Sequence, residues 1–442
     1  MSATVTAHPR TESHAIPRTY GTVRGWTLTT LTVILLVAAT RILNIDGPSL
    51  WIDEGFTFYT FQGDLFELVK NDRHPPFYFY SLHAWASVAG ESLLALRFWS
   101  FLPTMISGTI LYQIGRELAR ERDLSQVGVL SVPVLTALMM TLADGENFLA
   151  QELRMYSWQV MFCAGATWLY LRWMRQPNRL HGVGWVAFMT LALHTHYFSI
   201  SPIAAYGLHA LIFLRGGHRV SSIGLVMLTG TLFLPWFFIV LEEQFLNAQV
   251  CLDCENSFTL ANLNAFRASW FGEQWILMLL LALLGLLTIT YRTTGIPRLR
   301  LTPVRGTSLL LLLIIAPFLG SLIITHAAMQ FLNHHFAQLT IPIVLLFALG
   351  LSNIQRPARA VLVVMIAFYG VTHVDWYYDK APWQELVATF APYVEDDHLA
   401  LAEIGAENTA LWFHLDDQLP DGVQIGLNPY WGNRAHPEFY QE

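Results

Sequence analysis

Two adjacent carboxylates, Asp53 and Glu54, stand out in a chain of 442 residues that is 54% hydrophobic and only 13% charged. They lie between the dipeptide Trp51-Ile52 and an aromatic-rich stretch. A carboxylate partly removed from water has a raised pKa and becomes a better proton acceptor. The pair therefore predicts a proton acceptor at Asp53 or Glu54. The residue types also allow a solvated loop pair, or an Asp that caps the following helix.

A histidine followed by two prolines, His74-Pro75-Pro76, ends the same polar stretch. Proline disfavours the helical conformation in the residue before it, so His74 is expected in extended backbone. The prolines can then begin a helix, where their missing N–H groups cost little. We expect a fixed His74 that can face a substrate, although a plain loop-to-helix junction explains the motif equally well.

Basic and aromatic residues near the predicted span ends could bind an anion. A single Arg at the end of a span is more simply explained by snorkelling, and Arg154 could instead pair with Glu152. As a set they favour an anion site, since guanidinium groups bind anions such as phosphate through paired hydrogen bonds. The predicted substrate-binding residues are Lys70, Arg73, His74, Arg97, Arg154, Tyr156, His334 and His335.

No metal site is assigned from the sequence. A divalent ion held by Glu54, His74 or His196 is compatible with the residue types. The three cysteines include one Cys251-x-x-Cys254 pair, for which a local disulfide or two free thiols is the simplest explanation.

Long apolar runs must position these side chains, and each is long enough to cross a bilayer core. We predict a polytopic α-helical membrane protein with about 11 to 12 transmembrane helices. The predicted division is a cytoplasmic tail 1–24, a membrane domain 25–374 with a large first outer loop 46–96, and a small outer C-terminal α/β segment 375–442. The predicted spans are 25–45, 97–115, 125–143, 152–172, 181–196, 197–214, 220–240, 274–292, 306–328, 333–352 and 358–374.

Charge orients this arrangement, since short cytoplasmic loops collect Lys and Arg. Seventeen of the 25 basic residues fall in the N-terminal tail and in alternate loops, so the opposite face is acidic. This predicts a multi-pass protein of the cell membrane with its active site on the extracytoplasmic side. Eleven crossings that start inside place every basic loop on the cytoplasmic side, provided that the short apolar segment 75–90 is re-entrant or interfacial.

Two outer regions carry further predicted elements. Residues 55–70 are expected to form one amphipathic helix on the membrane surface, through apolar side chains at Phe56, Tyr59, Leu65, Phe66 and Val69. In the tail, two short strands, "HLALAEI" and "GVQIGL", are expected to flank a helical stretch near 406–414.

Taken in order, six motifs resemble the GT-C class of polytopic glycosyltransferases that use lipid-linked sugars. The greatest similarity is to the group of protein O-mannosyltransferases and aminoarabinose transferases. It extends over about residues 26 to 402 and is strong only in the first 160. The motifs are "WIDEGFT", "DRHPPFYFY", "GESLLALRFWS", "QELRMYS", "NHHFAQLTIP" and "APWQELVATF".

The resemblance implies transfer of a sugar, a hexose or a pentose, from a polyprenyl-phosphate carrier to an acceptor hydroxyl on a protein, lipid or glycan. Asp53 matches the family's catalytic base and His74 the element near the carrier phosphate. The sequence departs from the family at His334-His335, where an Arg-Tyr pair is common, and at Gln384, where Arg is usual. Both departures remove a cation, and His334 or His335 could substitute.

Two other classes of function remain open from the residues. A transporter or lipid flippase would also carry charges at membrane depth, although no duplicated halves appear in the sequence. A membrane scaffold whose outer tail binds partners is the third. Membrane lipids are expected partners in every case, and no nucleic-acid partner is predicted.

Overall fold

The computed structural model describes residues 23–62, 64–72, 74–126, 128–246, 275–291, 297–301, 305–325, 333–373, 380, 382–394, 399–402, 413–414 and 424–427. Helices dominate these residues, as the apolar runs predict. The α-helices are α1 Val23–Arg41, α2 Ile52–Gln62, α3 Leu65–Asn71, α4 Phe77–Ala89, α5 Leu93–Glu121, α6 Val132–Thr141, α7 Asp144–Ala150, α8 Tyr156–Arg175, α9 Arg179–Thr195, α10 Ile200–Phe213, α11 Gly216–Val240, α12 Trp275–Gly285, α13 Arg305–Thr325, α14 Thr340–Ser352, α15 Arg356–His373 and α16 Trp383–Phe390.

Shorter elements complete the described chain. Leu241–Leu246 extends α11 as a π-helix, and 3₁₀ turns occupy Tyr197–Ser199, Asn333–Leu339 and Ala391–Tyr393. Strands β1 (Leu287–Tyr291) and β2 (Pro297–Leu301) pair antiparallel. Strands β3 (Leu399–Ala402) and β4 (Gln424–Leu427) pair in parallel, with Leu399 opposite Gln424.

Helix α5 is the central packing element, in contact with α1, α6 and α8. Helix α8 packs in turn against α9, α10 against α11 and α13, and α12 against α14. The last pair meets at two glycines, since a Cβ atom on Gly350 would lie 2.0 Å from the carbonyl oxygen of Leu281. Small residues allow such close backbone approach between membrane helices. Glycine is therefore required where α12 crosses α14.

The two ends of α5 contact different sets of residues. Near its start, Arg97 binds Glu54 of α2. At its far end, Arg122 donates to the carbonyls of Gly285 and Leu287 and to Thr307. The 25 helical steps from Arg97 to Arg122 span roughly 37 Å at a rise of 1.5 Å per residue. The Asp53 region and Arg122 therefore lie near opposite ends of α5.

Membrane-crossing length is met by three of the described helices, Leu93–Glu121, Gly216–Leu246 and His334–Ser352. Five shorter apolar helices accompany them. The polytopic helical class is thus confirmed, while the number of crossings stays a prediction. Helix α4 has 13 residues, about 20 Å, which is short for a crossing.

Two predicted helices need correction. The span predicted at 274–292 is wrong in its second half, because the helix ends at Gly285 and residues 287–291 pair as β1. The single amphipathic helix predicted at 55–70 is two helices, because Asp64 caps α3 by accepting from the N–H groups of Phe66 and Glu67. Val69, expected at the membrane surface, is fully buried.

In the C-terminal segment, β3 and β4 lie in the two stretches where strands are expected. The helical stretch expected near 406–414 lies outside the described residues, except for Phe413 and His414.

Candidate active site

Asp53 and Glu54 occupy the first turn of α2, where carboxylates are favoured by the positive end of the helix dipole. The side chain of Glu54 reaches back and accepts a hydrogen bond from the N–H of Trp51 at 3.2 Å. This is the second half of a capping box, in which the residue at the third helical position satisfies the N-cap N–H. Glu54 rather than Asp53 therefore does the capping, and the Asp53 side chain is left for another role.

Glu54 forms a buried ion pair with Arg97. Two parallel bonds of 2.8 Å join the guanidinium Nε and Nη2 to the two carboxylate oxygens, and both side chains are fully buried. The N–H of Leu153 donates to the same carboxylate at 2.8 Å. Burial alone would raise the pKa of Glu54, but the charges of Arg97 and Lys380 hold it well below its usual range. Glu54 thus stays ionised and links α2 to α5 and to residue 153.

The remaining donors of Arg97 are bound to backbone carbonyls. Nη1 donates to Ile45 and Pro48, and Nη2 to Ser49, at 2.7 to 3.1 Å. The predicted contact of Arg97 with substrate needs correction, because its guanidinium is occupied by protein acceptors. We assign Arg97 to holding the chain between α1 and α2 in place.

Lys380 reaches Glu54 from 326 residues away in the sequence. Its Nζ lies 2.8 Å from Glu54 Oε2 and 3.9 Å from Glu152 Oε1. Among the residues that the structure describes, neither carboxylate oxygen of Glu152 has a hydrogen-bond partner, and the side chain is fully buried. Burial raises the pKa of Glu152. The charge of Lys380 lowers this pKa, whereas the nearby charges of Glu54 and Asp53 raise it further. Lys380 therefore lies next to two buried carboxylates, of which Glu54 has a lowered pKa and Glu152 a raised pKa.

Asp53 is more accessible than Glu54, with 26% of its side chain exposed. Its Oδ2 lies 3.9 Å from Nη2 of Arg154, and Nη1 of the same guanidinium donates to the Asp53 carbonyl and to Thr57 at 3.1 Å. Arg154 therefore faces Asp53 and not Glu152, the partner that its spacing suggests. An accessible carboxylate beside a fixed cation is the arrangement expected of a base next to an anion-binding group.

His74 is held between Asp72 and Arg154. Its Nδ1 lies 2.7 Å from Asp72 Oδ1, which also accepts the His74 backbone N–H, and its Nε2 lies 3.2 Å from Arg154 Nη2. An ionised carboxylate can only accept and a guanidinium can only donate. We therefore assign the proton to Nδ1, with Nε2 accepting from Arg154. Because the ring is fixed at both nitrogens, His74 orients Arg154.

A group of imidazole and phenol rings continues from His74. The ring centroids of His74 and His196 are 5.7 Å apart, and those of His196 and His335 are 5.4 Å apart. Tyr156 packs at 4.7 Å from His334 and lies beneath the Arg154 guanidinium at 5.9 Å. The structure thus joins His74, Arg154, Tyr156, His334 and His335 in one group of contacts, and Arg154 connects this group to Asp53.

The residues considered as metal ligands do not fit a divalent ion. The oxygens of Glu54 already accept from Arg97, Lys380 and two backbone N–H groups. Both ring nitrogens of His74 have partners, and Nδ1 of His196 accepts the N–H of Phe198. Among the residues that the structure describes, no three His, Cys, Asp or Glu side chains are placed to hold a metal ion.

Of the other predicted residues, the one that the structure describes lies apart from these contacts. Lys70 pairs with Glu243 of the π-helical turn at 2.7 Å, and Arg73 lies outside the described residues. Sequence reasoning missed the roles of Asp72 and Lys380 and undervalued Glu152. Asp72 stands two residues before His74, a spacing that could have suggested a local carboxylate–imidazole pair.

The family of dolichyl-phosphate-mannose-protein mannosyltransferases matches the chain over residues 73–241, less than half of its length. That range contains His74, Arg97, Arg154 and Tyr156 but not Asp53. No curated protein sequence shows significant similarity to the chain.

Solved structures of membrane glycosyltransferases share the fold at low identity. Apo ArnT from Cupriavidus metallidurans superposes with a TM-score of 0.56 at 14% identity, over 89% of this chain and 69% of that one. ArnT bound to undecaprenyl phosphate gives 0.50 at 14% identity, over 89% and 70%. The apo oligosaccharyltransferase of Archaeoglobus fulgidus gives 0.53 at 12% identity, over 92% and 65%.

Length separates this chain from some of the proteins it resembles. It spans 34% of the matched chain in the S. cerevisiae Pmt1-Pmt2 complex and about two thirds of the other proteins named above. At these identities the superpositions establish only the fold. The family match over residues 73–241 agrees with the resemblance of the sequence motifs. The chain therefore has the GT-C glycosyltransferase fold, as its sequence predicts.

Proposed function

We propose that this protein transfers a sugar from a polyprenyl-phosphate carrier to an acceptor hydroxyl on the extracytoplasmic face of the membrane, with Asp53 as the general base. One observation carries the proposal: of two adjacent carboxylates, Glu54 is buried and fully bonded, whereas Asp53 is a quarter exposed and faces Arg154, whose guanidinium is bonded to His74. The GT-C fold and the undecaprenyl phosphate bound to ArnT support the choice of donor.

The reaction that we propose is a direct displacement at the anomeric carbon. The acceptor oxygen attacks as its proton moves to Asp53, the bond between the anomeric carbon and the phosphate oxygen breaks, and the lipid phosphate leaves with the electron pair. This step inverts the configuration. The leaving phosphate is already ionised, so it needs charge stabilisation rather than protonation. Arg154 is the nearest cation to Asp53 among the described residues, and His74 fixes its orientation.

The imidazole and phenol rings complete the proposed donor site. Tyr156 packs against Arg154 and His334, and His334 packs against His335, so in our proposal these rings contact the sugar or the phosphate. Histidines at 334 and 335 replace the cation that is common in the resembled family. We therefore propose that Arg154 supplies most of the positive charge to the phosphate.

Release of the free lipid phosphate tests the reaction. Purified protein in lipid nanodiscs is incubated with labelled polyprenyl-phosphate sugars and candidate acceptors, and the freed lipid phosphate is separated by chromatography. Asp53→Asn should abolish release while the protein remains folded. The matched control is Asp64→Asn, the same change at the exposed cap of α3, where Asn also caps well.

Activity of the Asp53→Asn variant at the wild-type level would contradict the role of Asp53. A wild-type protein that releases no lipid phosphate from any donor, yet moves lipid between leaflets of vesicles, would instead favour the transporter or flippase.

A further inference from the structure

We propose that Lys380, residues 382–394 and residues 413–414, here together called the clamp segment, hold the chain before α2 in its working position, and that Lys380 is a positioning residue for the reaction. The inference deepens the proposed function, since the chain that is held leads directly into Asp53. The clamp segment follows α15 in the sequence.

Lys380 makes the first contact of the clamp segment. Its ammonium group lies 2.8 Å from Glu54, next in sequence to Asp53, and its side chain is only 6% exposed. The ring of Phe148 lies 6.0 Å from the same ammonium group. Because burying a charged lysine is costly unless it is paired, this geometry is maintained by the Glu54 carboxylate.

Two further contacts lie on the chain just before α2, and a third lies on α2 itself. The backbone N–H of Gln384 donates to Ser49 Oγ at 3.0 Å, and the buried N–H of Leu50 donates to His414 Nε2 at 3.2 Å. Phe413 packs edge-on against Phe58 of α2, with ring centroids 4.8 Å apart. Gln384 and Phe413 are far apart in sequence, so two separate parts of the clamp segment contact this one stretch.

The stretch 45–50 is therefore held from two sides. Arg97 binds its carbonyls at Ile45, Pro48 and Ser49, while the clamp segment binds Ser49 Oγ and the N–H of Leu50. Polar backbone groups bonded in this way fix the start of α2 and hence the direction of its first turn. A displacement of about 1 Å at a reacting group can lower a rate on the order of 100-fold.

A direct contact of Lys380 with the lipid phosphate is the competing explanation. It is disfavoured because the ammonium group is almost fully buried and is bonded to Glu54, with Glu152 as its second carboxylate. The two explanations differ in kinetics. A phosphate ligand affects the KM for the donor, whereas a positioning residue affects kcat.

Donor kinetics in nanodiscs separate these explanations. Lys380→Met and Phe413→Ala should each lower kcat by about 10- to 100-fold with the donor KM changed less than about threefold, and Lys380→Arg should restore most of the loss. Tyr393→Ala is the control, since Tyr393 belongs to the same segment but is 80% exposed. A Lys380→Met variant with raised KM and normal kcat overturns the proposal, as does a Phe413→Ala variant within about twofold of wild type.

Amine labelling supplies a second readout that needs no activity. The chain contains only two lysines, Lys70 and Lys380. With 26% of its side chain exposed, Lys70 should react with an acetylating reagent, whereas Lys380 should be protected. Phe413→Ala should increase acetylation of Lys380 relative to Lys70, measured by mass spectrometry of the folded protein.

The labelling result also separates this inference from the proposed function. Protection of Lys380 that is lost in Phe413→Ala supports the clamp even if no donor is turned over, in which case only the proposed reaction fails. Equal labelling of the two lysines in the wild-type protein overturns the clamp, whatever the activity.

Discussion

Replacing Glu54 by Gln should destabilise the protein more than any other single neutralisation at the candidate site. The carboxylate accepts from Arg97 twice, from Lys380 and from the N–H groups of Trp51 and Leu153. A Gln oxygen can keep one or two of these bonds, but its NH₂ group must then face donors. Both cations lose their strongest counter-charge while they remain buried.

The size of the effect follows from burial. Breaking a fully buried ion pair by removing one partner costs about 3–5 kcal/mol, because an uncompensated charge is left inside. The Glu54–Arg97 pair has no exposed side-chain surface, so that range applies. The compensating gain is small, since Glu152 lies 3.9 Å from Lys380 and can replace only part of the lost attraction.

Glu243→Gln provides a matched control. It removes the same charge from a pair of almost the same length, 2.7 Å to Lys70, but each partner is about one quarter exposed. Water screens such pairs, so the thermal midpoint should hardly change. Both variants are heated in detergent micelles while intrinsic tryptophan fluorescence is recorded. If Glu54→Gln unfolds at the same temperature as Glu243→Gln, the account of Glu54 as a buried link between segments is refuted.

Three further changes test other parts of the structure. The folded state keeps Glu152 protonated, so the wild-type protein should lose stability as the pH rises from the usual carboxyl range towards the raised pKa of Glu152. Glu152→Gln should remove this loss. Thermal midpoints of both proteins from about pH 5 to pH 9 measure the pH dependence, and a slope that is the same in the variant contradicts the prediction. Arg154→Lys keeps the charge but cannot bind the Asp53 carbonyl and His74 together, so turnover should fall about 100-fold, and near-normal turnover would contradict that geometry. Gly350→Leu should prevent the close contact of α12 and α14, so the variant should give no monodisperse peak in size-exclusion chromatography. A normal peak would contradict that contact.

The sequence predicts the membership of the site better than the role of each member. Asp53, His74, Arg154 and Tyr156 stand in an ordered set of motifs, and the structure brings them together. Arg97 stands in the same set, but it is bonded throughout to protein acceptors. Sequence spacing cannot separate these cases, because the difference lies in how many acceptors the folded chain supplies to each guanidinium.

Distance along the chain limits the prediction of the second group. Lys380 and Glu54 are 326 residues apart, and Lys380 reads as one of several basic residues near a span end. Only the folded structure shows that its charge is used by Glu54 and Glu152. Similarly, the hairpin β1–β2 follows α12 directly, where continuing hydrophobicity predicts more helix. In that stretch Thr288, Ile289 and Thr290 are β-branched, a composition that favours strand over helix.

Adjacent carboxylates in one helical turn can take opposite roles because successive residues are rotated by about 100° around the helix axis. At the start of α2, this rotation directs Glu54 into the bundle, where Arg97, Lys380 and two N–H groups compensate its charge. Asp53 is left at the accessible side, facing Arg154. The buried contacts of Glu54 fix that residue in place. Because Asp53 precedes it in the same helical turn, the same contacts hold Asp53 in the position that the proposed reaction requires. In the proposed reaction the Asp53 oxygens accept the proton of the acceptor hydroxyl, and the ion pairs of Glu54 hold Asp53 in place without using those oxygens.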